Sequence, residues 1–225
     1  MIMNMDYRAA SLKYWEDTHR EQDYAKDQIR VDDWLDRFAD IIVKTDRPIL
    51  DLGCGGGNDT LYLIEMGKQV IACDQSEMAI TRIRKNFPEL SDSYCFNMLD
   101  HFPFEDGTFD VVIADLCLHY FLEEETKQIL REIKRVLLPD GHLIFRVNSV
   151  NDKNHGAGEG VEVEHHVYET EKGTLKRFFD EADIRRIFSE FQIEYLNEEI
   201  MTRYKMEKRL FRGCVRKPES LSESL

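Results

Sequence analysis

Ile49-Leu50-Asp51-Leu52-Gly53-Cys54-Gly55-Gly56-Gly57 is the stretch on which the fold turns. Its opening residues form a short apolar run that reads as a buried strand. The segment Gly53-Cys54-Gly55-Gly56-Gly57 holds four glycines in five positions. Glycines there let a backbone turn tightly and approach a ligand closely. A helical pattern follows over Thr60 to Met66, closed by Gly67, where a left-handed cap costs little. A helix starting just after such a loop offers unpaired N–H groups to a negative group. A plain strand-to-helix turn needs one glycine or two, so this loop reads as a ligand loop.

Outward from it, strand and helix signals alternate. Val70 to Asp74 reads as a second strand, and Ser76 as the cap of a helix carrying Met78, Ile80 and Ile83, ended by Pro88. Tyr94-Cys95-Phe96 is a weak third strand and Phe109 to Ala114 a strong fourth. Glu123 to Leu138 predicts a long helix with Ile129, Ile133, Val136 and Leu137 on one face. Pro139-Asp140-Gly141 predicts a turn before a fifth strand over Leu143 to Val147. A helix over Phe178 to Phe188 and strands over Glu190 to Leu196 and Arg209 to Val215 complete the pattern. Upstream, Trp34, Leu35, Phe38, Ile41 and Ile42 recur at helical spacing. Such alternation implies crossover units and a mostly parallel α/β sheet.

The chain has 225 residues, the size of one domain with a small appendage. Lysine plus arginine total 30 against 44 acidic residues, a formal net charge of −14. That balance argues against a general binder of nucleic acid or anionic membrane, whose surface needs a basic footprint. A local exception is the stretch 198–217, where seven basic residues face three acidic ones. It reads as a solvated strand face by default, and as a patch that attracts an anionic acceptor otherwise. The five cysteines form no C-x-x-C pair, a usage suited to a reducing compartment. Met1 to Asp6 lacks the features of a signal peptide, and no apolar run approaches a membrane span. The expected location is cytoplasmic.

Asp74 closes the second strand 19 residues beyond Gly55. Alone it reads as a helix-entry cap; behind a glycine loop it reads as a carboxylate that accepts both hydroxyls of a ribose. Dinucleotide binders share this geometry, but their third glycine would fall on Asn58. Asp51 would also repel a pyrophosphate, whereas it can engage an ammonium group. A ligand with an amino acid at one end and a ribosyl adenine at the other fits better: S-adenosylmethionine.

The glycine stretch resembles the first motif of the class I S-adenosylmethionine-dependent methyltransferases, in the small single-domain bacterial form. Further segments match in order: Ala72-Cys73-Asp74-Gln75-Ser76; Asn97 through Phe104 with Asp106-Gly107-Thr108-Phe109-Asp110; Asp115 through Phe121; and Val136 through Leu143. The resemblance covers Thr45 to Lys217. It implies a Rossmann-like, doubly wound, mostly parallel seven-stranded sheet with the last strand antiparallel. It divides the chain into a helical lid or cap over 1–44, a cofactor domain over 45–217 with an insert at 149–173, and a flexible tail over 218–225.

The same resemblance implies roles. Asp51 and Gly53 would hold the methionine amino group, Gly55 and Gly57 would lie near the ribose and carboxylate, and Asp74 would take the ribose hydroxyls. Gln75 would flank the adenine. Asn97 stands where an acidic residue usually meets the adenine amino group, with Asp100 as a competitor, and Met98 would contact the ring. Asp115 would lie near the methionine end. His119 is the candidate base and equally a packing histidine; Tyr120 would orient an acceptor or fill the interior. The insert carries His155, His165, His166 and Tyr168, and reads as a substrate-shaping flap or a solvated loop. His165 and His166 read as no metal site, because neighbouring side chains in an extended segment point apart and no second cluster is evident. Asp115 with Asn148 is too thin a set for magnesium. Tyr14-Trp15-Glu16 sits at the lid position, where aromatics cover a sulfonium or simply pack.

The expected function is methyl transfer to a small molecule, with no nucleic-acid or membrane partner, by a monomer or homodimer. The alternatives are a cofactor-binding module or sensor without turnover, and a protein methyltransferase.

Overall fold

The computed structural model describes residues 7–21, 25–90 and 92–219. The leader expectation on Met1 to Asp6, and all of the tail but 218 and 219, lie outside the described residues.

The strands are β1 Ile49–Leu52, β2 Val70–Asp74, β3 Asp92–Cys95, β4 Phe109–Asp115, β5 Leu137–Asn148, β6 Val161–Glu164, β7 Val167–Glu169, β8 Leu175–Arg177, β9 Gln192–Met201 and β10 Lys208–Arg216. The α-helices are α1 Tyr7–Glu21, α2 Ala39–Lys44, α3 Asn58–Glu65, α4 Glu77–Asn86, α5 Glu123–Val136 and α6 Glu181–Ile187. Seven strands form one sheet in the order β3-β2-β1-β4-β5-β10-β9. β1 to β5 run parallel, and β10 runs against both of its neighbours, as expected for the last strand.

The sheet alternates residue by residue between two apolar layers, the period-2 pattern that buries a strand on both faces. Leu50, Val112, Ala114, Leu143 and Phe145 pack with Ile129, Ile133, Ile184 and Phe188 of α5 and its neighbours. Ile49, Val111, Ile113 and Ile144 pack on the opposite side with Trp34, Leu35, Phe38 and Ile42. The upstream apolar period is therefore real, although its first half, Asp33–Phe38, is wound as a tighter 3-10 helix. Ser76 accepts a hydrogen bond from Ala79 N at 3.2 Å and caps α4, as its sequence position implies.

The expected turn at Pro139-Asp140-Gly141 is a bulge within a longer β5. Phe109 pairs with Leu137 but Val111 with His142, so the extra residues loop out, with Asp140 at φ 62°. On the far side, Gly213 pairs with Phe145, and a Cβ at Gly213 would stand 2.3 Å from the Phe145 ring. The ring lies across the glycine and stacks on Phe188 at 4.5 Å.

The insert 149–173 does form strands. β6 and β7 pair within it, and β8, just beyond its end, completes a small antiparallel sheet separate from the main one. His165 and His166 occupy the hairpin turn between β6 and β7, which overturns the expectation that their side chains point apart. His166 adopts φ 59°, and that left-handed turn brings the two rings into a stack at 3.7 Å. His166 Nδ1 lies 2.7 Å from Asp183, which also caps α6 in concert with Asp180 and pairs with Arg186.

Candidate functional site

β1 lies beside β4 at the point where the strand order reverses, so the loops leaving the carboxyl ends of β1, β2 and β4 diverge and open a crevice. A cavity of about 750 Å³ occupies it. One end is walled by Gly53, Gly55, Gly56, Asp74, Gln75 and Met98. The other end is bordered by His119, Tyr120, His155, Lys176, Arg203, Tyr204 and Lys208. Helix α1 contributes Tyr14, Trp15, Thr18 and His19 to the same cavity.

Gly53 turns at φ 74°, and a Cβ there would stand 2.6 Å from Cys117 Cβ, so only glycine lets the loop cross the end of β4. Gly55 donates its N–H to Asp74 at 3.0 Å, and Ser76 N–H reaches the other Asp74 oxygen at 2.9 Å. Gly57 does not border the cavity; a Cβ there would strike Phe87 at 2.7 Å and Ile83 at 2.9 Å, so its glycine serves the packing of α4. Asn97 also stands outside the lining, its side-chain oxygen accepting from Leu99 N–H at 2.9 Å. Asp100 is exposed and outside it too.

The floor is acidic. Asp51 is outside the cavity lining, 2% exposed, and accepts a hydrogen bond from Thr60 Oγ1 at 2.5 Å. Burial, partly offset by Thr60, pushes its carboxyl up to about 7. Asp59 accepts from Trp34 Nε1 at 2.8 Å and is raised well above the usual range by burial and by Asp115 and Asp51. Asp74 is likewise raised by burial against its backbone hydrogen bonds. Among the described residues, none of Asp51, Asp59 and Asp74 has a salt bridge to lysine or arginine. Asp115 differs. Burial would raise it, but Arg146 grips both oxygens at 2.6 Å and Arg203 adds to this, so its carboxyl stays below the usual range. Its side chain is thereby committed to the buried Arg146, which also holds Asp32 at 3.0 Å and lies over the Trp34 ring.

His119 is 1% exposed, and its Nδ1 has no hydrogen-bond partner among the described residues. Burial, then Lys208 and Lys176, hold its imidazole well below the usual range, so it is neutral at pH 7. Its ring lies 4.3 Å from that of Tyr120, and Tyr120 meets Trp15 edge-on at 5.3 Å. Of the insert's expected residues only His155 reaches the cavity; His165, His166 and Tyr168 do not.

Helix α1 is fastened at several points. Tyr7 and Arg8 bond Glu125 at the start of α5. Glu16 accepts the N–H groups of Glu77 at 2.7 Å and Met78 at 3.3 Å, at the N-terminus of α4. Arg82 donates to the His19 carbonyl. Sequence reasoning missed His19, Lys176, Arg203, Tyr204 and Lys208 as cavity residues. The signal for Arg203 and Lys208 was the local basic excess; Lys176 and His19 carry none.

Comparison with known proteins agrees with this geometry. Residues 50–145 match the family model described as a methyltransferase domain. An uncharacterized methyltransferase of Synechocystis is 32% identical over 46% of this chain and 48% of its own length. Over the matched span the chain is similar to the class I S-adenosylmethionine-dependent methyltransferases. A tRNA N(3)-methylcytidine methyltransferase of Schizosaccharomyces pombe is 26% identical over 79% of this chain and 77% of its own. The Burkholderia thailandensis 1,6-didemethyltoxoflavin-N1-methyltransferase, solved with 1,6-didemethyltoxoflavin and S-adenosylhomocysteine, shares the fold with TM-score 0.69 at 18% identity, over 95% of this chain and 90% of its own. The chain spans about half the length of several curated relatives it matches. The described residues contain no helix long and apolar enough to cross a membrane.

The site fits the family's cofactor, S-adenosylmethionine. A cation-bearing ligand suits buried carboxylates that lack a basic partner, and a loop that excludes Cβ atoms suits close approach of a backbone to a ligand.

Proposed function

We propose that this chain transfers the methyl group of S-adenosylmethionine to a small-molecule acceptor. The observation that carries the reading is the two-ended cavity. Its volume of about 750 Å³ lies within the usual range of small-molecule sites, roughly 300 to 1,000 Å³.

The bound cofactor supplies an activated methyl on a sulfonium, open to in-line displacement. The chain's own residues do the rest. Each Asp74 oxygen spends one lone pair on a backbone N–H and has another for a ribose hydroxyl. Asp51 compensates the ammonium charge from beneath the loop, and Gly53 and Gly55 let the backbone lie against the amino-acid end. Gln75 and Met98 flank the adenine. Gly57 and Asn97 hold the loops from behind. Asp115, being tied to Arg146, offers its backbone rather than its carboxylate. Neutral His119 is poorly suited to hold a proton; with Tyr120 it borders the acceptor side of the cavity. Trp15 and Tyr14 of α1 close the site and exclude water, which is where rate comes from when the methyl is already activated. In this reading α1 alone is the lid, while residues 33–44 pack under the sheet.

A second reading is favoured by the tRNA-methylating relative of Schizosaccharomyces pombe. The net charge of −14 counts against it, since phosphate contacts dominate binding to nucleic acid. Two measurements separate the readings. Calorimetry with S-adenosylmethionine and NADH should show binding of the former alone. Methyl-labelled cofactor should then label a small-molecule extract and leave total tRNA unlabelled. Labelled tRNA would replace the small-molecule reading, and binding without transfer to either would indicate a cofactor-binding module.

A further inference from the structure

The lining of the cavity is unevenly charged, with Arg30 as well as carboxylates near the glycine loop. The carboxylates Asp51, Asp59 and Asp74 lie at or beneath the glycine-loop end. Around His119 the lining turns basic, with Lys176 and Lys208; Arg203, which also lines the cavity, stands against Asp115 and Asp32. In a chain of net charge −14, this concentration of cations runs against the average.

The three cations differ in how they are committed. Lys208 is 5% exposed and paired to the buried Asp152 at 2.9 Å. Arg203 stands 3.6 Å from Asp32 and from Asp115, outside direct hydrogen-bond reach of either and with Arg146 already gripping Asp115. Lys176 has no salt bridge among the described residues. Its Nζ donates to the His155 carbonyl at 2.5 Å and lies over the Phe178 ring. An ammonium has three donors, so Lys176 keeps hydrogen-bonding capacity toward the cavity. Burial and the nearby Lys208 lower it to about 8, as for a cation held beside a like charge. Rings of Tyr14, Trp15, Tyr120 and Tyr204 border the same space.

We infer that the methyl acceptor is a small, planar molecule carrying an anionic group, a carboxylate or a phosphate, which Lys176 anchors while the aromatic rings hold the planar body. The inference rests on the methyltransferase reading above and names the substrate class for the same site. Lys208 is spent on Asp152 and is not the anchor.

The test uses the full chain saturated with S-adenosylhomocysteine and three probes by calorimetry: benzoate, phenyl phosphate and neutral benzamide. At least one anionic probe should bind about tenfold or more tightly than benzamide, the scale of a charge-assisted hydrogen bond. Preference between benzoate and phenyl phosphate identifies the anion. Lys176→Met should lose that preference while S-adenosylmethionine affinity stays unchanged, and Lys176→Arg should restore it. Equal binding of benzamide and the anions, absence of anion binding, or an unaltered preference in Lys176→Met would overturn the inference. Failure of S-adenosylmethionine itself to bind the parent chain would instead overturn the underlying methyltransferase reading.

Discussion

Asp51 and Asp74 share one floor but answer to different forces. An aspartate ordinarily ionises near 4, and burial holds Asp51 at about 7. Between those values the folded chain keeps a proton that the unfolded chain has lost. The stability contributed by Asp51 therefore falls as pH rises from about 4 to about 7 and is level above. Cofactor binding has the opposite sign, because an ammonium favours the carboxylate and expels the proton. Affinity for S-adenosylmethionine should rise with pH up to about 7 and then flatten, with proton release at pH 6 visible as calorimetric heats that depend on the buffer. Asp51→Asn should flatten the profile; a slope that persists would assign the linkage elsewhere. Asp74→Asn keeps one acceptor but loses the charge that strengthens bonds to two hydroxyls, so cofactor affinity should drop at least about tenfold. Unchanged affinity would remove Asp74 from the ribose. Both carboxylates were legible because they stand at fixed places around the glycine loop. His19 was not, since a histidine on a polar helix face announces nothing until the helix is placed.

Helix α1 meets the cavity because its ends and middle are tied to other elements, and Glu16 is the tie nearest the cofactor loops. Its carboxylate sits on the N-terminal N–H groups of α4, an arrangement worth roughly 0.3 to 1 kcal/mol. Glu16→Ala should leave the melting temperature nearly unchanged while hydrogen exchange across residues 7–21 quickens and cofactor release speeds up a few-fold. Faster exchange with unaltered release would reduce α1 to a packing helix. The sheet strands were readable because each is buried on two faces and announces itself as an apolar run. The strands of the small sheet were not. β6, β7 and β8 are only three or four residues long and carry glutamates and basic residues, so their pattern does not differ from that of a loop. Lys208 and Lys176 lie far apart in sequence and come together only through the return of β10 and the small sheet, a convergence no local pattern encodes.

At the scale of the molecule, Arg146 ties three segments of the chain together, being 3% exposed and shared by Asp115 and Asp32. Removing one member of a buried ion network leaves uncompensated charge and costs about 3 to 5 kcal/mol. Arg146→Leu should lower the urea midpoint accordingly; a loss below about 1 kcal/mol would mean water reaches the network. Gly213→Ala should cost about 1 to 3 kcal/mol by pushing the Phe145 ring off its stack with Phe188. The sulfur atoms lend this architecture a further use. Cys54 and Cys117 border the cavity yet are 7% and 9% exposed, and burial keeps both thiols well above their ordinary ionisation range. Thiolate, not thiol, reacts with alkylating reagents, so these two are dormant while the loop is closed. Their alkylation rate is thus a clock for breathing of the cofactor loop, one that S-adenosylhomocysteine should slow.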